Sequence, residues 1–121
     1  MIRQNPEPIF YQIKEKIKDD ILAGVYQPHE LILSTNQIAK LFSVNPATAV
    51  KSVSMLQNEG IVYKKRGIGM CVSEHAKAQI LQERTDQFYQ QVLVQTIAEA
   101  KKIGLSKSEL LRIIQEVPED D

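Results

Sequence analysis

The stretch SVNPATAVKSVSMLQNEG, residues 43–60, decides how the fold of this 121-residue chain is interpreted. Asn45 followed by Pro46 marks a helix start, because an asparagine side chain caps backbone N–H groups and proline fits the first helical position. Gly60 is suited to end the helix. Small and neutral side chains dominate the positions predicted to face outward, which are Thr48, Lys51, Ser52 and Ser54. Such a helix can approach another molecule closely with its N-terminal end.

A shorter helix is predicted immediately before this one, beginning at Ser34 and ending near Phe42. Ser34 and Gln37 fit a capping box, in which each side chain bonds to the backbone N–H of the other residue. Leu33 and Ile38 have the spacing of a hydrophobic staple across the same helix start. The two helices are therefore joined by only three or four residues.

A basic β-hairpin is predicted directly after the second of these helices, in the segment IVYKKRGIGMCV, residues 61–72. Residues 61–64 and 70–72 have the short apolar pattern of two strands, and the two glycines between them allow positive φ in the connection. The tip, residues 65–69, carries Lys65 and Arg66. Cys71 is expected to be a small packed side chain within the second strand.

Amphipathic helices are predicted on both sides of this central part. Residues 8–23 have isoleucines at every fourth position, Ile9, Ile13, Ile17 and Ile21, opposite Lys14, Lys18 and Asp19. Residues 76–103 contain no Gly or Pro and have a wide apolar stripe, which predicts one long helix that stops at Gly104. A capping box at Ser106 and Glu109 predicts a last helix that carries Leu110, Ile113, Ile114 and Val117 on one face.

The composition indicates a folded intracellular protein. It is 43% hydrophobic and 25% charged, and no apolar run approaches the roughly 18 residues of a membrane span. The N-terminus lacks the apolar core of a signal peptide, and the single cysteine excludes an internal disulfide, so a cytoplasmic location without a membrane partner is expected. Residues 1–73 hold nine Lys/Arg and six Asp/Glu, and residues 74–121 hold six and nine. This small asymmetry suits a front half that meets a polyanion.

The order of these elements predicts a fold that is mainly α with a small β-hairpin, namely a winged helix-turn-helix followed by a two-helix C-terminal appendage. In a helix-turn-helix the second helix presents its N-terminal residues to the DNA major groove. Asn45, Ala47 and Thr48 would then touch base edges or phosphates, and Ala47 can contact a thymine methyl group. The hairpin would lie along the DNA backbone or enter the minor groove.

Residues 8–72 resemble the DNA-binding domain of GntR-family bacterial transcription regulators. The resemblance is carried by PIFYQI, ILAGVYQPHELI, VNPATAVKSVSMLQNEGIV and RGIGMCV. The tail LVQTIAEAKKIGLSKSELLRIIQE is similar to the short two-helix appendage of the YtrA-type subgroup, for which the resemblance implies dimerisation. We therefore expect a DNA-binding domain over residues 1–74 and a helical dimerisation region over residues 75–121.

Motif and resemblance together predict nine DNA-binding residues: Ser34, Asn36, Asn45, Ala47, Thr48, Lys51, Lys65, Arg66 and Gly67. Arg66 and Gly67 match the tip of the family's wing. The sequence departs from the family pattern at Asn36, where the family has an arginine in the second helix. It departs again at Val50, where many members have an arginine, although Lys51 follows.

The predicted function is that of a homodimeric transcriptional regulator, a repressor, that binds an inverted-repeat DNA operator. The predicted dimer interface comprises Leu81, Phe88, Val92, Leu93, Leu110 and Ile114. No catalytic grouping, phosphate-binding loop, cofactor motif or metal motif is present, and His29 and His75 are expected at the surface. Two alternatives stay open: a winged-helix module that binds protein, and the same regulator gated by a small effector at the dimer interface. The operator, the regulated genes and the choice between repression and activation stay open too.

Overall fold

The elements follow the predicted order in the computed structural model, which describes residues 7–120. The helices are α1 (Ile9–Leu22), α2 (Thr35–Phe42), α3 (Pro46–Asn58), α4 (Ala76–Gln87), α5 (Val94–Lys102) and α6 (Lys107–Glu116), with a π-helical segment (Phe88–Leu93) between α4 and α5. The strands β1 (Val62–Lys65) and β2 (Gly69–Val72) form an antiparallel hairpin. The predicted class, mainly α with a small β-hairpin in a winged helix-turn-helix, is confirmed.

Side-chain caps fix the helix starts as predicted. At α2 the Ser34 hydroxyl accepts from the Gln37 N–H at 3.1 Å, and the Gln37 side chain accepts from the Ser34 N–H at 2.9 Å. At α3 the side-chain oxygen Oδ1 of Asn45 accepts from the Ala47 N–H at 2.8 Å, and Pro46 is the first helical residue. Ser43 has a left-handed backbone, with φ 54°, which ends α2 and turns the chain into α3.

The core of the first part of the chain lies where α1, α2, α3 and the hairpin meet. Ala49, Val53 and Leu56 face inward, as predicted. They pack with isoleucines from each neighbouring segment, namely Ile13, Ile17, Ile21, Ile32, Ile38 and Ile61. Because α3 packs on both α1 and α2, its orientation is fixed from two sides.

The prediction that Lys14 and Lys18 lie on the solvent side of α1 is wrong, because both are buried. Glu59, which follows the last residue of α3, accepts from both ammonium groups, at 2.7 Å from Lys14 and 2.6 Å from Lys18. Burial alone would raise the pKa of Glu59, but the two lysine hydrogen bonds and charges together hold it below the ordinary value. The two buried ammonium groups therefore share one carboxylate, which links α1 to the end of α3.

Ser52 is a second correction, since it was expected to face outward and is fully buried. Its hydroxyl lies 2.8 Å from the carbonyl oxygen of Phe10 in α1 and 3.1 Å from that of Thr48, one turn earlier in α3. A buried serine needs such partners because an unsatisfied hydroxyl is costly. The contact fixes the first turn of α1 against α3.

The hairpin strands differ from the predicted ones by one residue: β1 is shifted by one, and β2 is one residue longer at its start. Val62 pairs with Val72 and Lys65 with Gly69, so β1 begins after Ile61 rather than at it, and β2 begins one residue early. Gly69 has φ +138°, and a Cβ there would lie 2.8 Å from the Leu31 side chain. The glycine is thus required both by backbone conformation and by the close approach of its neighbour.

The predicted long helix over residues 76–103 is interrupted by the π-helical segment, so its regular α-helical form is wrong although the chain stays helical. A π-helical turn holds an extra residue, which changes the phase of the apolar stripe. Just after it the Thr96 hydroxyl donates to the Val92 carbonyl at 2.7 Å. At α6 the predicted capping box of Ser106 and Glu109 is present.

The chain divides into two compact units, Met1–Leu81 and Gln82–Asp121. This division lies further along the chain than the predicted boundary after residue 74. The physical reason is that Ala76 and Ile80 at the start of α4 pack into the core of the first unit. In the described part of the second unit, residues 82–120, Ala100 is the one buried residue.

Candidate nucleic-acid interface

The N-terminus of α3 presents the residues predicted to touch base edges. Asn45 and Ala47 are exposed and Thr48 is half-buried. The Asn45 side chain uses its carbonyl oxygen for the cap, so its NH₂ group is left to donate to a ligand. The positive end of the helix dipole lies at the same place and favours a nearby phosphate.

Lys51 lies one turn further along α3 and is exposed. Because residues three and four positions apart share a helix face, it lies beside Ala47 and Thr48. Its ammonium group lies 4.1 Å from the centroid of the Phe10 ring in α1. Val50, the residue before Lys51, is also exposed.

The start of α2 supplies a second group of polar residues. Ser34 and Asn36 are exposed, at the cap and the second residue of the helix. The Ser34 oxygen accepts from a backbone N–H, and its hydroxyl proton is left to donate. Both side chains can therefore serve a phosphate or a base edge without breaking the cap.

The wing brings its own basic group. Lys65 ends β1, and Arg66 and Gly67 follow it in the exposed connection. Ile68, the last residue of the connection, and Gly69, the first of β2, line a groove of about 260 Å³ together with Ser34, Thr35 and Val53. The wing connection and the start of α2 thus lie at the same edge of the first unit.

The pairing of charges concentrates the available cations on these elements. Lys14 and Lys18 are paired with Glu59, and Lys16 with Asp20 at 2.7 Å. In the described part of the first unit, residues 7–81, six further lysines and arginines have no carboxylate within 4.0 Å: Lys40, Lys51, Lys64, Lys65, Arg66 and Lys77. The first five lie on α2, α3, β1 and the wing connection, where the DNA-binding residues were predicted, and Lys77 lies on α4.

Sequence reasoning missed Phe10 as part of this site. An aromatic residue in the first turn of a helix is ordinarily expected to pack in a core, and no local pattern indicates that it lies under a lysine 41 positions later. The only signal is its place in PIFYQI, one of the segments that carry the family resemblance.

The two histidines and the cysteine show no sign of a catalytic or metal site among residues 7–120. His29 and His75 are exposed, and Cys71 is buried as a packed side chain. Within residues 7–120 no three metal-ligating side chains come together. None of the helices in this range combines the length and apolar character needed to cross a membrane.

Comparison with known proteins gives a family. The family model described as "Bacterial regulatory proteins, gntR family" matches residues 11–72, which is half of the chain. The chain belongs to the GntR family. This GntR-family chain is 31% identical over 123 residues to the HTH-type transcriptional repressor YtrA of Bacillus subtilis, an alignment that covers 99% of this chain and 94% of YtrA.

Solved structures give the same result. A GntR family transcriptional regulator from Listeria monocytogenes is similar with a TM-score of 0.77 and 25% identity, covering 96% of this chain and 100% of that one. AraR(DBD) in complex with operator ORR3 is similar over 60% of this chain and 95% of that one, with a TM-score of 0.52 and 28% identity. The chain is thus a DNA-binding transcriptional regulator of the GntR family, resembling the YtrA type, and its relatives are regulators rather than enzymes.

Proposed function

We propose that this GntR-family protein is a cytoplasmic repressor that binds an inverted-repeat operator as a homodimer. The observation that carries the proposal is the group of five exposed cations without carboxylate partners on α2, α3, β1 and the wing. Such a group supplies the sequence-independent attraction to phosphates on which DNA binding depends. AraR(DBD), a similar structure, is described in complex with an operator, which supports the same use of the domain.

The base-reading group comprises Asn45, Ala47 and Thr48 at the start of α3. Asparagine can donate to and accept from adenine, alanine can contact the thymine methyl, and threonine can bond to either kind of base edge. Ser34 and Asn36 at the start of α2 contact the adjacent phosphates or the groove wall. With no arginine at Asn36 or Val50, discrimination rests on smaller contacts than an arginine–guanine pair.

The phosphate-contacting group comprises Lys51, Lys65 and Arg66, with Gly67 allowing the wing backbone to approach the DNA. These cations fix the position of α3 on the duplex and make the affinity depend on salt. Lys65 and Arg66 lie at the tip of a hairpin, where they reach the DNA backbone or the minor groove beside the α3 site.

Dimerisation rests on the second unit, whose apolar side chains have no cover in the single chain. Phe88, Tyr89, Val92 and Ile114 are each about half exposed, and Leu93 and Leu110 are partly buried. A helical unit of this size with one buried residue does not have a sufficient core of its own. A second copy that covers these side chains, together with Leu81 at the end of the first unit, is the commonest solution and would place two α3 helices about one helical turn apart.

Repression is proposed because the YtrA relative, which this chain matches over nearly its whole length, is named a repressor. Occupation of a promoter by the dimer would block the polymerase, and it requires no cofactor.

A small effector that binds at the dimer interface, near Phe88 and Val92, would raise the melting temperature and weaken operator binding together.

A pair of variants separates phosphate contact from base readout. We expect Arg66→Ala to weaken binding to every duplex and to lower the slope of log affinity against log salt by about 1, because one phosphate contact is lost. Thr48→Val, which keeps the side-chain shape, should change the preference among operators and leave that slope unaltered. Fluorescence anisotropy at several salt concentrations measures both.

Arg112→Ala is the matched control, because Arg112 is an exposed arginine of α6 paired with Glu116 at 3.2 Å. It should leave DNA affinity and salt slope unchanged. If Arg66→Ala behaves like this control, the wing does not contact DNA.

A further inference from the structure

We propose that Phe10 is a positioning residue for DNA binding, which holds the Lys51 ammonium group ready for a phosphate beside the base-reading end of α3. The inference rests on the proposed function, because it explains what positions Lys51, one of the proposed phosphate contacts. It assigns α1 a part in the DNA interface, although no sequence motif linked that helix to DNA binding.

The contact between the two side chains is a cation–π interaction. Nζ of Lys51 lies 4.1 Å from the centroid of the Phe10 ring, well inside the range of about 6 Å over which such attraction acts. Lys51 is exposed and has no carboxylate within 4.0 Å among the described residues, so the ring is its identified partner there.

An aromatic partner suits a lysine that must bind a phosphate. A carboxylate would position the ammonium group too, but it would neutralise the charge and compete with the DNA. The face of a phenyl ring attracts the cation and leaves the full positive charge available. A lysine side chain otherwise loses rotamer entropy when it is fixed, and a contact formed in the free protein meets part of that cost before binding.

The backbone of Phe10 is held in place by the residue next to Lys51. Ser52 is fully buried and its hydroxyl donates to the Phe10 carbonyl at 2.8 Å. Ser52 therefore holds the backbone of Phe10, and its neighbour Lys51 lies over the ring. In the same turn the Pro8 carbonyl accepts from the Tyr11 and Gln12 N–H groups, at 3.0 and 3.1 Å.

The neighbouring residue offers a contrast within the same helix turn. Lys14 lies 4.6 Å from the centroid of the Tyr11 ring, which is also a cation–π contact. Lys14, however, is buried and paired with Glu59, so its charge is already neutralised. Only the Phe10 contact involves a cation that remains accessible to DNA.

The test is the salt dependence of DNA binding by the full chain, measured by anisotropy on a duplex that the wild-type protein binds. Lys51→Gln should weaken binding and lower the salt slope by about 1. Phe10→Leu, which removes the ring and keeps apolar bulk, should weaken binding about two- to fivefold. Phe10→Tyr, which keeps an aromatic ring, should bind with wild-type affinity. The double variant that combines Phe10→Leu with Lys51→Gln should bind no more weakly than Lys51→Gln alone.

Tyr11→Leu is the matched control, and it should leave affinity and salt slope at the wild-type values. The proposal is overturned if Phe10→Leu binds as wild type, if its effect adds in full to that of Lys51→Gln, or if Lys51→Gln has no effect. Failure of the wild-type chain to bind any duplex would instead remove the proposed function itself.

A measurement without DNA keeps the inference testable if a variant binds poorly because it is unstable. The ring should shift the proton resonances of the Lys51 side chain upfield in the NMR spectrum of the free protein. Phe10→Tyr should retain that shift and Phe10→Leu should abolish it. Random-coil resonances for Lys51 in the wild-type protein would contradict the contact.

Discussion

Val92→Glu is expected to convert the protein from a dimer to a monomer and to reduce operator affinity about 100-fold or more. Val92 is about half exposed in the π-helical segment, in the middle of the apolar stripe. In the proposed dimer the substitution buries a carboxylate from each protomer without a partner, which is strongly unfavourable. Each monomer would then bind a half-site without the gain from simultaneous engagement of the second. Sedimentation equilibrium and anisotropy measure the two effects.

Gln91→Glu provides the control for this experiment. Gln91 is exposed in the same segment but is not among the predicted dimer-interface residues, and the substitution adds the same charge. It should leave both dimerisation and operator affinity unchanged. A Val92→Glu protein that remains dimeric would show that the stripe is covered by something other than a second copy.

Glu59→Gln is expected to destabilise the protein by about 3 kcal/mol, because removing one partner of a buried ion pair leaves the other charge uncompensated. Here two buried ammonium groups, those of Lys14 and Lys18, lose their shared carboxylate. Glu15 stays near both, at 3.9 and 3.5 Å, and compensates part of their charge. Urea denaturation of both proteins gives the difference in the free energy of unfolding.

The matched variant replaces the whole cluster, with Lys14→Met and Lys18→Met added to Glu59→Gln. Since apolar residues of similar volume often replace a buried ion pair without loss, this triple variant should regain most of the lost stability. If Glu59→Gln is as stable as the wild type, the carboxylate does not hold the two lysines in solution.

Stability should also depend on pH through Glu59. Its pKa is lower in the folded protein than in the unfolded chain, so the unfolded state binds more protons between the two values. The stabilisation is therefore complete above the ordinary glutamate pKa of about 4.3 and is lost as pH falls through the lower folded-state value. The stability of the wild type relative to the triple variant, measured from neutral to acidic pH, should fall in that window; a constant difference would contradict the assignment.

Local signals predicted most of the fold because they act within a few residues of one another. The capping boxes at Ser34 and Ser106 and the cap at Asn45 each place a helix start, and all three are present. Alternation and glycines placed the hairpin to within one residue. The nine predicted DNA-binding residues lie at exposed or half-buried positions, and their contact with DNA stays a prediction.

The failures have a different physical origin, since each depends on a partner far away in the sequence. A 3.6-residue period assigns Lys18 and Ser52 to a face but cannot indicate that Glu59 or the Phe10 carbonyl lies opposite. Polar residues are assigned to solvent by default, and here specific hydrogen bonds make their burial favourable. The π-helical turn between α4 and α5 is a separate failure, since no Gly or Pro in residues 76–103 marks the interruption of the α-helix.

The most direct test of the proposed regulator is an anisotropy titration of the full chain on two duplexes, the DNA upstream of its own gene and a scrambled version, at two salt concentrations. We predict preferential and salt-sensitive binding to the upstream duplex, with two protomers per site. Absence of binding to either duplex, even at low salt, would contradict the account and favour a winged-helix module that binds a protein partner.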